Sequence, residues 1–135
     1  MNYKRLLLGA VTASVVLFVG EIAFIMIMGK MLMAARSAAG LPEIAPNALL
    51  SIFELLLTGT LLVWLYASIR NRYGPGLSTA LRAGVFGWIA VVLLSTIHMI
   101  GENLGFPPSL LLLVAAVIFP VFLTSAAAGG WVYRE

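Results

Sequence analysis

LLLGAVTASVVLFVGEIAFIMIMG, Leu6 to Gly29, is an apolar run broken by one charge, Glu21. A helix needs about 20 mostly apolar residues to cross a bilayer, because each adds about 1.5 Å and the hydrocarbon layer is roughly 30 Å thick. This run is long enough. It starts after a basic pair, Lys4-Arg5, as a signal peptide would. It continues past Glu21 to Met28, however, and no clear cleavage pattern follows, so it reads as a retained span. Three further segments qualify: residues 48–69, interrupted by Glu54, residues 79–103, and residues 109–132. The fold class expected is all-α: an integral membrane four-helix bundle forming a single transmembrane domain over residues 1–135, with spans at about 6–29, 48–69, 79–103 and 109–132.

Composition points the same way. The chain has 135 residues, 62% hydrophobic and 10% charged, with mean hydropathy +1.09. A soluble domain carries about 25% charged residues, so too little polar surface exists here to cover a water-soluble fold. Cysteine is absent, which removes disulfides and thiolate metal sites. The net charge of +3 does not point to nucleic acid, since no basic groove with stacking aromatics is readable.

The links are legible. Between the first two spans, KMLMAARSAAGLPEIAPN begins as a Met- and Ala-rich stretch that extends the first helix to about Ala39. Gly40 suits a left-handed C′ position, Pro42 a stop, and Asn47 an N-cap. RNRYGPGLS turns at Gly74-Pro75-Gly76, with Ser78 expected to cap the third span. Gly105 ends that span and Pro107-Pro108 opens the fourth.

Six of the eight Lys and Arg residues, Lys4, Arg5, Arg70, Arg72, Arg82 and Arg134, fall on one side; Lys30 and Arg36 fall on the other. By the positive-inside rule both termini and the GPG turn are cytoplasmic. Tyr3, Tyr66, Tyr73, Trp131 and Tyr133 lie near the same side, as an interfacial belt would.

WLYASIRNRYGPGLSTALRAG, Trp64 to Gly84, resembles a signature of small, uncharacterised bacterial four-span membrane proteins. They share the WLYA-x-IR-x-R-Y/F-GPG pattern, a Gly-Glu pair in the first span (here Gly20-Glu21) and a W-x-Y-x-E ending (here Trp131-Val132-Tyr133-Arg134-Glu135). The resemblance implies the same topology in a bacterial inner membrane and adds nothing on activity. A weaker likeness, through GKMLMAARSAAGLP and the embedded Glu54, is to DoxX-type four-span proteins.

The informative positions are acids inside the spans. An ionised side chain at mid-helix costs about 2.5–3.5 kcal/mol on insertion scales. At about 1.5 Å per residue, Glu21 lies roughly 12 Å, Glu54 roughly 9 Å and His98 roughly 9 Å below the same membrane face, with Glu102 near the surface. Residues four apart share a helix face, so Ser95, His98 and Glu102 form one stripe and Ser51, Glu54 and Thr58 another. Pro120 removes an amide donor and frees the carbonyl of Ala116 at similar depth. Glu21, Glu54, His98 and Glu102 are therefore the candidate binding residues of an outward-facing polar pocket. The plainer reading stands beside it: Glu102 reaches headgroup water, Glu54 complements a helix N-terminus, and His98 is a packing residue. Glu21 is the hardest to explain that way.

No cofactor is expected. One histidine excludes a bis-histidine haem, Glu-x-x-His pairs of di-metal bundles are missing, and Met26/Met33 and Met28/Met31 face opposite ways. No nucleophilic triad, phosphate loop or dinucleotide fingerprint is present. Small-xxx-small pairs (Gly9/Ala13, Ala80/Gly84, Ala83/Gly87, Ser125/Gly129, Ala126/Gly130) cluster near the cytoplasmic side. They allow close helix approach within the chain, or in a homo-oligomer or larger membrane complex. Gly20-Glu21 and Gly101-Glu102 hint at a two-span repeat. The expected function is that of a non-enzymatic accessory, or a small binding or transport component, embedded in the lipid bilayer. The alternative is a membrane-bound enzyme or redox accessory subunit using the His/Glu cluster. Reporters fused to both termini are expected to be active in the cytoplasm, and a cysteine at Ala38 to react with an impermeant reagent outside; labelling at Ser78 instead would reverse the orientation.

Overall fold

Each helix starts and stops where the chain's local chemistry changes. The computed structural model describes residues 2–42, 45 and 47–133. Among them all regular structure is helical, and four helices are long and apolar enough to cross a membrane: span 1 (Tyr3–Ala38), span 2 (Ala48–Tyr73), span 3 (Leu77–Gly101) and span 4 (Pro108–Val132). Asn2 and Asn47 cap spans 1 and 2, their side chains accepting from the amides of Arg5 and Leu50 at 3.2 Å each. Span 1 runs 36 residues, about 54 Å at the usual rise, so it outreaches the hydrocarbon layer. It ends in a Schellman motif: Gly40 takes φ +67°, its amide donates to Ser37, and Leu41 donates to Arg36. Arg36 Nε then donates to the Pro42 carbonyl at 2.6 Å.

Two local expectations are corrected. Span 3 is capped by Gly76 with no side-chain cap bond, not by Ser78. Gly74 and Gly76 hold φ +79° and +136°, which turns the chain early enough for the helix to begin at Leu77. Thr79 Oγ1 ties the turn by donating to the Gly74 carbonyl at 2.7 Å. Tyr66 and Tyr133 are not belt residues: each is 2% exposed, and their rings pack edge to face at 6.1 Å. The Gly76 amide donates to Tyr66 Oη at 3.3 Å, and the Arg70 guanidinium lies 5.6 Å from the Tyr133 ring centroid. Arg134 and Glu135, part of the C-terminal motif, lie outside the described residues, as does Glu43.

Span 1 packs along spans 2 and 4, and span 3 packs against the same two from the other side. The half nearest the termini is the tight half. All ten residues of the five small-xxx-small pairs are buried there, inside the chain. Gly9 and Gly129 face each other: a Cβ added to Gly9 would sit 2.8 Å from the Gly129 carbonyl oxygen, and one added to Gly129 would sit 2.9 Å from the Gly9 oxygen. Spans 1 and 4 thus meet backbone to backbone, which is how helices gain dispersion contact where lipid supplies no hydrophobic drive. Gly20 is pressed against Val121, whereas Gly101 has nothing within 4 Å of where a Cβ would stand, so the two Gly-Glu pairs occupy unlike settings and lend nothing to a repeat.

Replacing Gly129 with Leu is expected to lower stability to unfolding in detergent by about 1–3 kcal/mol, the range for overpacking a filled interior. Gly84→Leu, facing the Phe122 carbonyl at 3.0 Å, is expected to behave alike. Gly101→Ala serves as the control and is expected to leave the midpoint nearly unchanged. Unaltered midpoints for both leucine variants would mean that these faces meet lipid.

Candidate functional site

The level at which polar groups can meet is set by one helix crossing. Gly59 of span 2 lies so close to span 1 that a Cβ there would stand 2.7 Å from the Ala10 carbonyl and collide with Ser14 Oγ. Ser14, placed by that contact, donates to the Ala10 carbonyl at 2.9 Å and across to the Leu55 carbonyl at 3.0 Å. Reading away from this crossing toward the loop end, span 1 reaches Glu21 two turns beyond Ser14. Span 2, running the other way, has Glu54 little more than a turn from Gly59. Antiparallel helices locked at Ser14 and Gly59 therefore bring Glu21 and Glu54 to a common level.

They share a cavity of about 130 Å³. Its polar lining is Glu21, Glu54 and Thr58; the rest includes Leu17, Phe24, Val91, Val92, Val121 and Phe122. Thr58 is only 9% exposed. Thr12, Thr60 and Ser68 satisfy their hydroxyls on carbonyls one turn back in their own helices. Among the described residues, the Thr58 hydroxyl makes no such bond, and Thr58 lines the cavity.

His98 and Glu102, expected to wall the same pocket, do not line this cavity. The reason lies within span 3. Ile89–Leu93 forms a π turn, with an i→i+5 bond from Leu94 N–H to the Ile89 carbonyl. A π turn inserts one residue, rotating everything beyond it by roughly 100° relative to an unbroken α-helix. Beyond the bulge, Thr96 is buried while Ser95, His98 and Glu102 are exposed. Leu94–Gly101 packs on span 4 and makes little contact with spans 1 and 2. The bulge instead turns Val91 and Val92 inward as cavity wall. Ser95 donates back to the Val91 carbonyl rather than joining a stripe with His98.

Trp88, at the start of the π turn, is not marked out by its spacing in the sequence. Its Nε1 donates to the Ala115 carbonyl of span 4 at 2.9 Å, and its ring meets Phe119 edge to face at 5.0 Å. The bond lands one residue before Ala116, whose carbonyl Pro120 leaves without its helical donor. The indole thereby ties the start of span 3's bulge to span 4 one turn before its proline. Gly59 and Thr58 are likewise hard to read locally: a lone glycine in an apolar run signals close approach only once its neighbour is known. Among the described residues no three His, Cys, Asp or Glu side chains gather as a metal-binding group. Met28 is buried while Met26, Met31 and Met33 are exposed, so the methionines do not assemble either.

Trp88→Phe keeps the ring contact and removes the indole donor. It is expected to cost about 0.6 and no more than about 1.7 kcal/mol, the span measured for interhelical hydrogen bonds in membranes. Unfolding in mixed micelles checks this, and a cost near zero would mean the bond to Ala115 is not part of the folded state. No family model, curated protein or solved structure matches this chain.

Proposed function

We propose that this chain is a non-enzymatic multi-pass protein of a bacterial inner membrane, acting as an accessory or small binding or transport component. In this reading both termini face the cytoplasm, the tight glycine-packed half is the inner half, and the Glu21/Glu54 cavity is reached from outside. The observation that carries it is the convergence of Glu21, Glu54 and the Thr58 hydroxyl, from two different spans, on one cavity in the half remote from the termini. Two carboxylates placed within apolar spans are expensive, and neither forms part of the interhelical bonding that holds the bundle together, which rests on Ser14, Trp88 and glycine contacts. A binding role accounts for their retention at one level.

The tight half argues against a permanently open pore, since Leu62, Val63, Ala83 and Ala126 there are each 0% exposed. The alternative of an enzyme or redox subunit needs His98 beside the acids, and the cavity lining offers it no support. Partners other than lipid would meet the outer faces of the spans, because the small-residue faces are occupied within the chain.

The chain has no cysteine, so a single Thr58→Cys variant reports on the cavity without background. In intact cells or oriented vesicles, the introduced thiol is expected to react with a small cationic methanethiosulfonate applied from outside, and faster than with its anionic counterpart. A thiol modified only by a neutral, membrane-permeant reagent would show that the cavity is closed to that side and would sink the reading.

A further inference from the structure

We propose that the Glu21/Glu54 cavity binds a small primary organic ammonium ion. The inference rests on the binding role proposed above and specifies its ligand.

The charge is decided by the lining. Spans 1 and 2 contribute Glu21 and Glu54. Spans 3 and 4 contribute Val91, Val92, Ile118, Val121 and Phe122, so among the lining residues no Lys, Arg or His faces the two acids from any of the four spans. A site with two carboxylates and no cationic side chain accepts positive charge and excludes anions.

Ligand class is decided by the walls. A bare divalent or alkali cation must replace its water shell with several oxygens, six or so for calcium or magnesium. This cavity offers two carboxylates and one hydroxyl among hydrocarbon and aromatic side chains, and no three-residue metal group occurs among the described residues. An organic ammonium needs fewer polar contacts and brings its own apolar surface. Its three N–H donors match the acceptors present: one carboxylate from each span and the Thr58 hydroxyl, which is 9% exposed and unclaimed by its own helix. Phe24 and Phe122 supply aromatic surface on the same lining, suited to a cation and to its hydrocarbon part. A cavity of about 130 Å³ takes a short-chain or single-ring amine. On binding, the ammonium keeps its three protons and donates them to the carboxylates and the Thr58 hydroxyl.

The test is calorimetric titration of the full chain in lipid nanodiscs with benzylammonium, using empty nanodiscs to subtract partitioning and benzyl alcohol as the neutral isostere. Saturable binding of benzylammonium is expected, with benzyl alcohol binding at least about tenfold more weakly. Glu21→Gln and Glu54→Gln are each expected to weaken binding about tenfold or more, and Thr58→Val about threefold, as befits charged and neutral hydrogen bonds. Equal binding of benzyl alcohol, undiminished binding by both glutamine variants, or displacement of the amine by equimolar calcium would overturn the proposal. If a glutamine variant fails to fold, the comparison of amine with alcohol in the unaltered chain still decides it. An accessible thiol in the Thr58→Cys variant together with no benzylammonium binding sinks the ammonium assignment and leaves the binding role standing; an inaccessible thiol sinks both.

Discussion

The contact of Gly9 with Gly129 is the constraint from which the rest of the bundle follows. Two helix backbones can approach this closely only where neither carries a side chain, and each added Cβ would lie under 3 Å from the other's carbonyl oxygen. Spans 1 and 4 are thereby held together along their length, and spans 2 and 3 close around them with Leu62, Val63, Ala80 and Ala83. In lipid no hydrophobic drive presses helices together, so stability depends on such fitted contact and on a few polar bonds. Ser14 on the Leu55 carbonyl and Trp88 on the Ala115 carbonyl are the interhelical examples. Each uses a side-chain donor and a backbone acceptor, and at the opposite end the Arg70 guanidinium of span 2 adds a contact with the Tyr133 ring beyond span 4.

That division of labour makes the loop-end half different. Once packing is supplied near the termini, the other half can keep a cavity between the spans. Both irregularities of the fold border it. The π turn at Ile89–Leu93 faces Val91 and Val92 into it, and Pro120 lies beside Val121 on its span 4 wall. Bulges and prolines in membrane helices are tolerated where neighbouring groups compensate the backbone. Here Trp88 joins the two irregular segments directly.

At the opposite end, the GPG turn is held by side chains rather than by a cap. Thr79 takes the Gly74 carbonyl, Tyr66 takes the Gly76 amide, and Arg82 stands 4.5 Å from the Tyr73 ring centroid. Two tyrosines that hydropathy assigns to an interface lie inside instead: Tyr66 meets the turn through its hydroxyl, and Tyr133 packs on the Tyr66 ring. A tyrosine in the interior is stable where its hydroxyl finds a partner, as Tyr66 does.

Four helices long and apolar enough to cross a membrane are legible in the residues alone, since length and composition decide that without reference to neighbours. The same holds for the small-xxx-small residues at close contacts, because only small side chains permit them, and for Glu21 and Glu54, because their cost in an apolar span is local. Helix ends at Asn47 and Gly40 are legible for the same reason: capping is a matter of a few adjacent atoms. Which faces meet is a different matter, and it is settled only when the helices pack. The stripe of Ser95, His98 and Glu102 assumes an unbroken 3.6-residue period, and the π turn at Ile89–Leu93, which no residue's own propensity announces, rotates that stripe away from the acids. Thr58 and Gly59 acquire their roles only from the register set by Ser14 on a helix more than forty positions away, and no local pattern encodes a register between helices.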